Sequence, residues 1–367
     1  MSKSGAIVWQ GTYEIRPGAT LEELIMELCI SQAELARRTG RPTKTINGII
    51  KGSIAITPET ALQFERVLGV SATFWNSLEK NYREAIARRE ERERLQQGID
   101  WMKSFPVSTM IKYGWIEKKK DRVEQLQELL GFLGAADPAS WGDHWDGCAV
   151  QFRGAQGTST SQPAVAAWLR KGFLDARAIG CKPFSAEGFR NALKEIRTLT
   201  LVTTPDFVDR LQVICAENGV AVVLVRELPG CRVSGAARWM TPQKALIQLS
   251  LRYRSNDQLW FSFFHEAAHV LQDQKRSIFV DDSPDRKPVK VGDELEKQAN
   301  SLAANLLIPR RELQQFMDSS DRTKVGVKAF ATQIGIAPGI VVGRLQHEGY
   351  LPFDWLNDLK VRYTWTD

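Results

Sequence analysis

The stretch Leu259–Gln272 reads LWFSFFHEAAHVLQ and holds two of the four histidines in this 367-residue chain. Its apolar run is too long and wrongly spaced for a strand, so we expect a buried helix. His265 and His269 then lie four residues apart on one helix face, where two imidazoles can share one tetrahedral metal ion. The carboxylate of Glu266, next to the first histidine, can take a proton from metal-bound water. The pattern predicts a zinc site with Glu266 as the catalytic base.

A catalytic zinc usually has three protein ligands, so a third is expected downstream. The amphipathic segment 294–309, ELEKQANSLAANLLIP, is predicted to form a helix that Pro309 ends. Glu296 is the favoured third ligand. Glu294 is the alternative, although two residues earlier it points to another part of the helix surface. The run from Glu296 to Asn300 resembles the metal-binding helix of glutamate-type zincins, which implies that Asn300 supports a ligand histidine.

Two apolar segments precede the histidine helix and are predicted to form strands. They are GVAVVLV at 219–225 and ALIQLSLRY at 245–253, and the Gly- and Pro-containing segment 227–242 separates them. Further helices are expected in the tail. The sequence does not single out an oxyanion stabiliser among Arg252, Tyr253 and His347, and a structural role fits each of them as well.

A second pattern lies at residues 31–52, SQAELARRTGRPTKTINGIIKG. Ser31 and Glu34 form a capping box that starts a helix, Gly40 ends it, and the following helix stops at Gly52. Two short helices with these start and stop signals are typical of a helix-turn-helix, whose second helix enters the major groove of DNA. A helix pair of this kind is also a common packing unit. The residues predicted to contact DNA are Thr43, Lys44 and Asn47 for bases and Gln32, Arg41 and Lys51 for phosphates.

The net charge of +6 is concentrated in the same place. Residues 31–51 contain five basic side chains against Glu34 alone, while the rest of the chain is nearly balanced. The basic character is therefore local, and it coincides with the expected DNA-reading helices. A solvated helix face is the alternative interpretation.

Length and composition limit the class of protein. With 43% hydrophobic residues, 367 residues are enough for two or three domains with cores of their own. No apolar run approaches the ~20 residues of a membrane span, and the first residues lack the apolar core of a signal peptide. Five scattered cysteines indicate no disulfide framework. We therefore expect a cytoplasmic protein with no membrane partner.

Longer runs resemble two known families. Residues 16–82 resemble the HigA/VapI branch of the XRE-type repressors, through ISQAELARR, TINGIIKG and ITPETALQFERVLGVSATFW. That resemblance implies a dimeric DNA-binding antitoxin or autoregulator with a lambda-repressor-like all-α fold, although here the chain continues for nearly 300 residues.

Residues 195–350 resemble the ImmA/IrrE metallopeptidases, through GVAVVLVRELPG, a Gly235-Ala236 turn, KALIQLSLRY, DQLWFSFFHEAAHVL and ELEKQANSLAANLLIP. The resemblance implies an α+β zincin-like domain that cleaves repressor-type proteins. It also implies a small sheet whose edge strand, expected at 245–251, pairs with an extended substrate chain.

Together these patterns predict a mainly α, multi-domain protein with an α+β zincin-like C-terminal domain. The expected segments are a helix-turn-helix domain at 1–78, a charged linker helix at 79–98, a helical middle region at 99–194, a peptidase domain at 195–310 and its helical extension at 311–367.

Two functions fit this organisation. In the first, a homodimeric antitoxin-type regulator binds double-stranded operator DNA, and its Zn²⁺ endopeptidase domain cleaves a regulatory protein. Its protein partner is then a toxin or a repressor substrate. In the second, the zincin-like domain is a toxin-binding or sensing scaffold without peptidase activity. Glu266 favours the first, because a scaffold has no need of the base.

Overall fold

The computed structural model describes residues 15–142, 161–202, 204, 206–272, 293–319 and 321–365. The chain divides into two compact units, Met1–Ile99 and Asp100–Asp367. Among the described helices, no single one has the length and apolar character of a membrane span, and one bent pair, Lys324–Ile334 with Pro338–His347, reaches both only when taken together.

The helices of the first unit begin and end where the sequence signals predict. Ser31 Oγ accepts a hydrogen bond from the Glu34 amide at 3.1 Å, and Gly40 ends the same helix in the left-handed conformation. The capping box is only half formed, because the Glu34 carboxylate bonds Arg37 and Arg38 instead of reaching back. The helices are α1 Pro17–Glu27, α2 Gln32–Thr39, α3 Thr43–Ile50, α4 Pro58–Leu68 and α5 Ala72–Gln96.

The core of the first unit takes an apolar side chain from each of its helices. Its fully buried members include Leu21, Leu35, Ile46, Phe64 and Trp75. Because α3 turns its isoleucines inward, the start of α3 is left facing solvent. Helix α5 continues past this core as the charged segment predicted to be a linker, and there Arg88 bonds Glu84 one turn earlier at 2.6 Å.

The second unit is built on a small mixed sheet. Its strands are β1 Val220–Leu224, β2 Gly235–Thr241 and β3 Lys244–Leu249, in the spatial order β1-β3-β2. β3 pairs with β1 in parallel and with β2 antiparallel. The helices around the sheet are α6 Ile99–Met102, α7 Val107–Lys112, α8 Arg122–Leu133, α9 Gln162–Arg177, α10 Ala186–Thr198, α11 Phe207–Ala216, α12 Asn256–Gln272, α13 Asp293–Leu307, α14 Arg310–Asp318, α15 Lys324–Ile334 and α16 Pro338–His347, with 3₁₀ turns at Leu199–Leu201 and Asn357–Leu359.

This arrangement confirms the predicted fold class and corrects two details. The segment between the predicted strands contains β2, so Gly235-Ala236 starts a strand and is not a turn. The second correction concerns the edge strand: the predicted 245–251 segment is β3, which lies at the centre of the sheet with a partner on each side. β2 escaped prediction because GAARWMT is rich in small residues and lacks the β-branched side chains that signal a strand.

Both faces of the sheet are buried. Val220, Val222 and Ile247 face the core that contains α12, whereas the alternating residues Ala221 and Leu246 face the core that contains α9. Helix α9 comes from the region 99–194, which the sequence set apart from the peptidase domain. In the structure this region and the sheet share one core, so packing does not end at residue 194.

Close packing of α9 on the sheet depends on Gly172. The buried side chain of Gln248 in β3 donates to the Trp168 carbonyl at 2.7 Å and lies directly against Gly172. A Cβ added at Gly172 would be 1.9 Å from Gln248 Oε1. Only a residue without a side chain lets this helix approach the strand so closely.

We expect Gly172→Ala to lower the free energy of unfolding by about 1–3 kcal/mol, because the added methyl forces Gln248 out of its place. The matched control is Gly131→Ala in α8, where nothing lies within 4 Å of the new Cβ. That change should instead raise stability by about 0.5–1 kcal/mol through helix propensity. Urea unfolding followed by tryptophan fluorescence distinguishes them, and equal effects of the two substitutions would contradict the packing described.

Candidate functional site

Helices α12 and α13 bring three metal-binding side chains together. The Nε2 atoms of His265 and His269 are 3.0 Å apart, and the Glu296 carboxylate oxygens lie 3.3 Å from His265 Nε2 and 3.4 Å from His269 Nε2. Three ligand atoms bound to one tetrahedral zinc ion at 2.0–2.1 Å are about 3.3 Å from each other. The cluster therefore has the dimensions of a metal site that leaves one position open.

The surroundings favour the protonation state that a metal ligand needs. Burial lowers the pKa of His265, and the neighbouring His269 lowers it further. A neutral imidazole keeps the lone pair that binds a metal ion. The side chain of Glu294, the alternative third ligand, lies outside the described residues.

Glu266 is enclosed beside the cluster. Its side chain is 8% exposed, and burial, followed by the negative charge of Glu296, raises the pKa of Glu266 to about 8. The carboxylate lies against Gly235, the first residue of β2, where a Cβ would be 2.8 Å from Glu266 Oε1. Gly235 is thus a site residue that sequence reasoning missed, because the contact joins a strand to a helix that follows it in the chain.

Two further side chains lie close to His265. The Phe261 ring, one turn before His265, is stacked on the His265 imidazole with centroids 6.2 Å apart and an angle of 28° between the ring planes. Asn300 raises the pKa of His265, whereas burial lowers it. The buried Nδ1 of His265 has no hydrogen-bond partner among the described residues, so the supporting role assigned to Asn300 stays a prediction.

The three candidates for an oxyanion stabiliser have other contacts. The His347 ring lies beside that of Phe261, with the two ring centroids 6.4 Å apart. Arg252 donates to the Arg232 carbonyl, and its guanidinium lies 4.9 Å from the centre of the Tyr253 ring.

In the first unit, α2 and α3 form the predicted helix pair. Thr43, Lys44 and Lys51 are exposed along α3, and Pro42 provides no side-chain cap, which leaves the start of this helix accessible. Accessible amides and basic groups at a helix start can hold phosphate.

The remaining predicted contacts are held by neighbours. Asn47 Nδ2 donates to Gln32 Oε1 at 3.4 Å, so these two side chains from different helices act as a pair. Arg41 Nε donates to Gln63 Oε1 of α4 at 2.7 Å. The structure therefore brings Gln32 and Asn47 together and orients Arg41, while the DNA contacts themselves stay predictions.

Comparison with known proteins finds one family match in each of the two units. Residues 223–345 match the IrrE N-terminal-like domain of the peptidase M78 family. Residues 21–75 match the helix-turn-helix family. The first match contains both histidines and Glu296, and the second contains α2 and α3.

Relatives are found for a small part of the chain. The uncharacterized HTH-type transcriptional regulator YddM of Escherichia coli (strain K12) is 32% identical over 74 residues, which are 20% of this chain and 79% of YddM. An addiction module antidote protein of the HigA family from Coxiella burnetii is 29% identical, covering 23% of this chain and 92% of its own, with a TM-score of 0.21. Pseudomonas aeruginosa antitoxin HigA, solved with the higBA promoter, is 31% identical, covering 23% and 94%, with a TM-score of 0.22.

Both resemblances noted in the sequence are confirmed by these matches. The chain belongs to the HTH-type transcriptional regulators, and behind its helix-turn-helix it carries an IrrE N-terminal-like peptidase M78 domain.

Proposed function

We propose that this regulator is of the antitoxin type and that its second unit is a zinc-dependent endopeptidase acting on a regulatory protein. The observation that supports the peptidase is the cluster of His265, His269 and Glu296 with Glu266 enclosed beside it. The two parts would serve one regulator, because the DNA-binding unit and the hydrolytic unit belong to one chain.

Zinc fits the donor set better than harder metals do. Two imidazole nitrogens and one carboxylate are typical ligands of a catalytic zinc, whereas Mg²⁺ and Ca²⁺ prefer oxygen ligands alone. The lowered pKa of His265 keeps its ring neutral for binding. When bound, zinc would polarise the scissile carbonyl and make the attacking water more acidic.

Glu266 would move the proton in this reaction. Its carboxylate accepts a proton from the attacking water and later returns it to the leaving amine nitrogen as the peptide bond breaks. Its enclosure supports this role, because burial raises the pKa of Glu266 towards neutral pH, where a carboxyl group can both accept and return a proton. Contact with Gly235 fixes the carboxylate at the start of β2.

The substrate chain would then pair with β2. β3 is excluded because both of its edges are occupied by other strands. β2 lies at the edge of the sheet that the described residues form, and its first residue touches Glu266, so an extended chain added along β2 would pass the catalytic carboxylate.

The first unit would read operator DNA as a homodimer. In helix-turn-helix dimers two recognition helices enter successive major grooves about 34 Å apart, so the operator should be palindromic. The name of HigA from Pseudomonas aeruginosa records a promoter complex, which supports a similar role here. Operator binding requires the compartment that holds DNA, so we place the protein in the cytoplasm, with a toxin or a repressor as its protein partner.

Metal analysis tests the first step. The purified wild type should carry about one zinc per chain, and His265→Ala should weaken zinc binding by more than about 100-fold because it removes a ligand. His347→Ala is the matched control, since it removes a histidine of the same unit and should leave zinc unchanged. A wild type that stays metal-free after zinc supply would contradict the proposal.

The role of Glu266 is tested with Glu266→Gln, which preserves size and removes the base. This variant should keep its zinc and its DNA binding, while hydrolysis falls by about 10²–10⁴-fold. New protein N-termini in cells expressing the wild type or the variant, counted by mass spectrometry, measure cleavage. Identical sets would instead support the scaffold function, in which the domain binds a toxin or senses a signal without hydrolysis.

The DNA interface is tested by selecting sequences from a random duplex pool. Lys44→Ala should weaken binding to all sequences similarly and reduce the salt dependence by about one phosphate contact. Asn47→Ala should relax the preference at one base pair, at a cost of about 1–3 kcal/mol. Lys80→Ala, an exposed lysine on α5, is the control. If Asn47→Ala selects the same sequence with the same preference, the assignment of α3 as the recognition helix is wrong.

A further inference from the structure

A small groove lies against the first half of α12. Ser234, Ser250, Ser255, Gln258 and Ser262 contribute to its lining. Ser234 directly precedes Gly235, which touches Glu266, and Ser262 lies one helical turn before Glu266. The residues that line the groove are therefore next to those that surround the Glu266 carboxylate, both at the start of β2 and along α12.

Three separate chain segments meet at the far end of this groove. Arg252 donates to the Arg232 carbonyl, which joins the segments 226–234 and 250–258. The Tyr363 amide donates to the Arg254 carbonyl at 2.9 Å, and Arg362 forms a β-bridge with Ser255, so 360–365 joins them. These contacts hold the three segments next to each other.

The three segments together are strongly basic. The three segments contain six basic residues and two acidic ones, and one of the acids, Asp257, is buried with Lys360 2.8 Å away. Arg232, Arg254 and Arg362 are exposed, and Arg252 is half-buried. Over the described part of the chain, none of these four forms an ion pair. We call this set the groove arginines.

Arg254 shows that the positive charge does not follow from the needs of folding. Its backbone has φ of 55°, a left-handed conformation that a glycine or asparagine would adopt at lower cost. Strain of this kind concentrates at functional sites. The turn thus carries an arginine where glycine would stabilise the fold more.

We propose that the groove arginines bind an acidic segment of the polypeptide that the peptidase site cleaves. This substrate class rests on the proposed function. From Glu266 to the start of α12 is ten residues, roughly 15 Å, which an extended chain covers in about four to five residues. A chain antiparallel to β2 would enter the groove with the residues that follow the scissile bond. The acidic residues of the substrate would therefore lie about four to five residues after that bond.

Binding is measured separately from cleavage, in the full chain carrying Glu266→Gln so that no probe is hydrolysed. The probes are a fluorescein-labelled Glu-Ala repeat peptide and a Gln-Ala repeat of equal length, followed by fluorescence anisotropy. The groove variant combines Arg232→Gln, Arg254→Gly and Arg362→Gln. It should bind the Glu-Ala peptide on the order of tenfold more weakly, and added salt should reduce the difference.

The control variant neutralises three exposed arginines elsewhere in the same unit, Arg190→Gln, Arg210→Gln and Arg311→Gln. It should bind the Glu-Ala peptide as the parent does, as should Lys44→Ala in the helix-turn-helix. Because glycine suits the backbone at position 254, Arg254→Gly alone should not lower the unfolding midpoint and should still weaken binding.

Three outcomes would overturn the proposal. The groove variant could bind the Glu-Ala peptide as tightly as the parent, or the control variant could lose as much affinity. A single-stranded thymidine oligonucleotide could bind more tightly than the peptide and depend on the groove arginines, which would assign the surface to nucleic acid. If arginine-dependent peptide binding is found but no cleavage occurs with Glu266 intact, the proposed function fails while the groove keeps its ligand.

Discussion

The burial of α12 is the constraint on which the second unit depends. Phe263, Phe264 and Ala267 of this helix are completely buried in the core that also contains β1 and β3. With those side chains fixed against the sheet, the 3.6-residue period leaves His265 and His269 on another side of the helix. That side faces α13, which supplies Glu296, and β2, which encloses Glu266. The site is thus set by hydrophobic packing, and its polar residues occupy the helix positions that do not face the core.

This explains which parts of the site could be predicted from the sequence. The pair His265 and His269 follows from local helical spacing, and Glu296 follows from a second amphipathic helix, so both need only short-range patterns. The contact of Gly235 with Glu266 joins residues 31 positions apart. It depends on the position of β2 in the sheet, and a strand of small residues gives no hydrophobic alternation from which that position could be inferred.

The order of the strands in the sheet could not be predicted from the sequence either. β3 has more branched aliphatic side chains than β2, and an edge strand with that composition would expose apolar surface and unpaired backbone groups. Its central position, between β1 and β2, satisfies both edges, which places the weaker strand β2 outside. In the first unit nearly every signal is local, in caps, turns and apolar periodicity, and there the predicted helix boundaries agree with the structure.

The two units also differ in how their basic side chains are arranged. Around α2 and α3 the basic side chains follow a helix, which suits the regular spacing of phosphates on a duplex. The groove arginines instead come from three distant segments that the contacts between them bring together, beside a groove whose lining includes Ser262, one helical turn before Glu266. No count of charge along the sequence reveals this second cluster, because 226–234, 250–258 and 360–365 are adjacent only in the fold. The ligands proposed for the two basic clusters, duplex DNA and an acidic peptide, therefore correspond to two different geometries of positive charge.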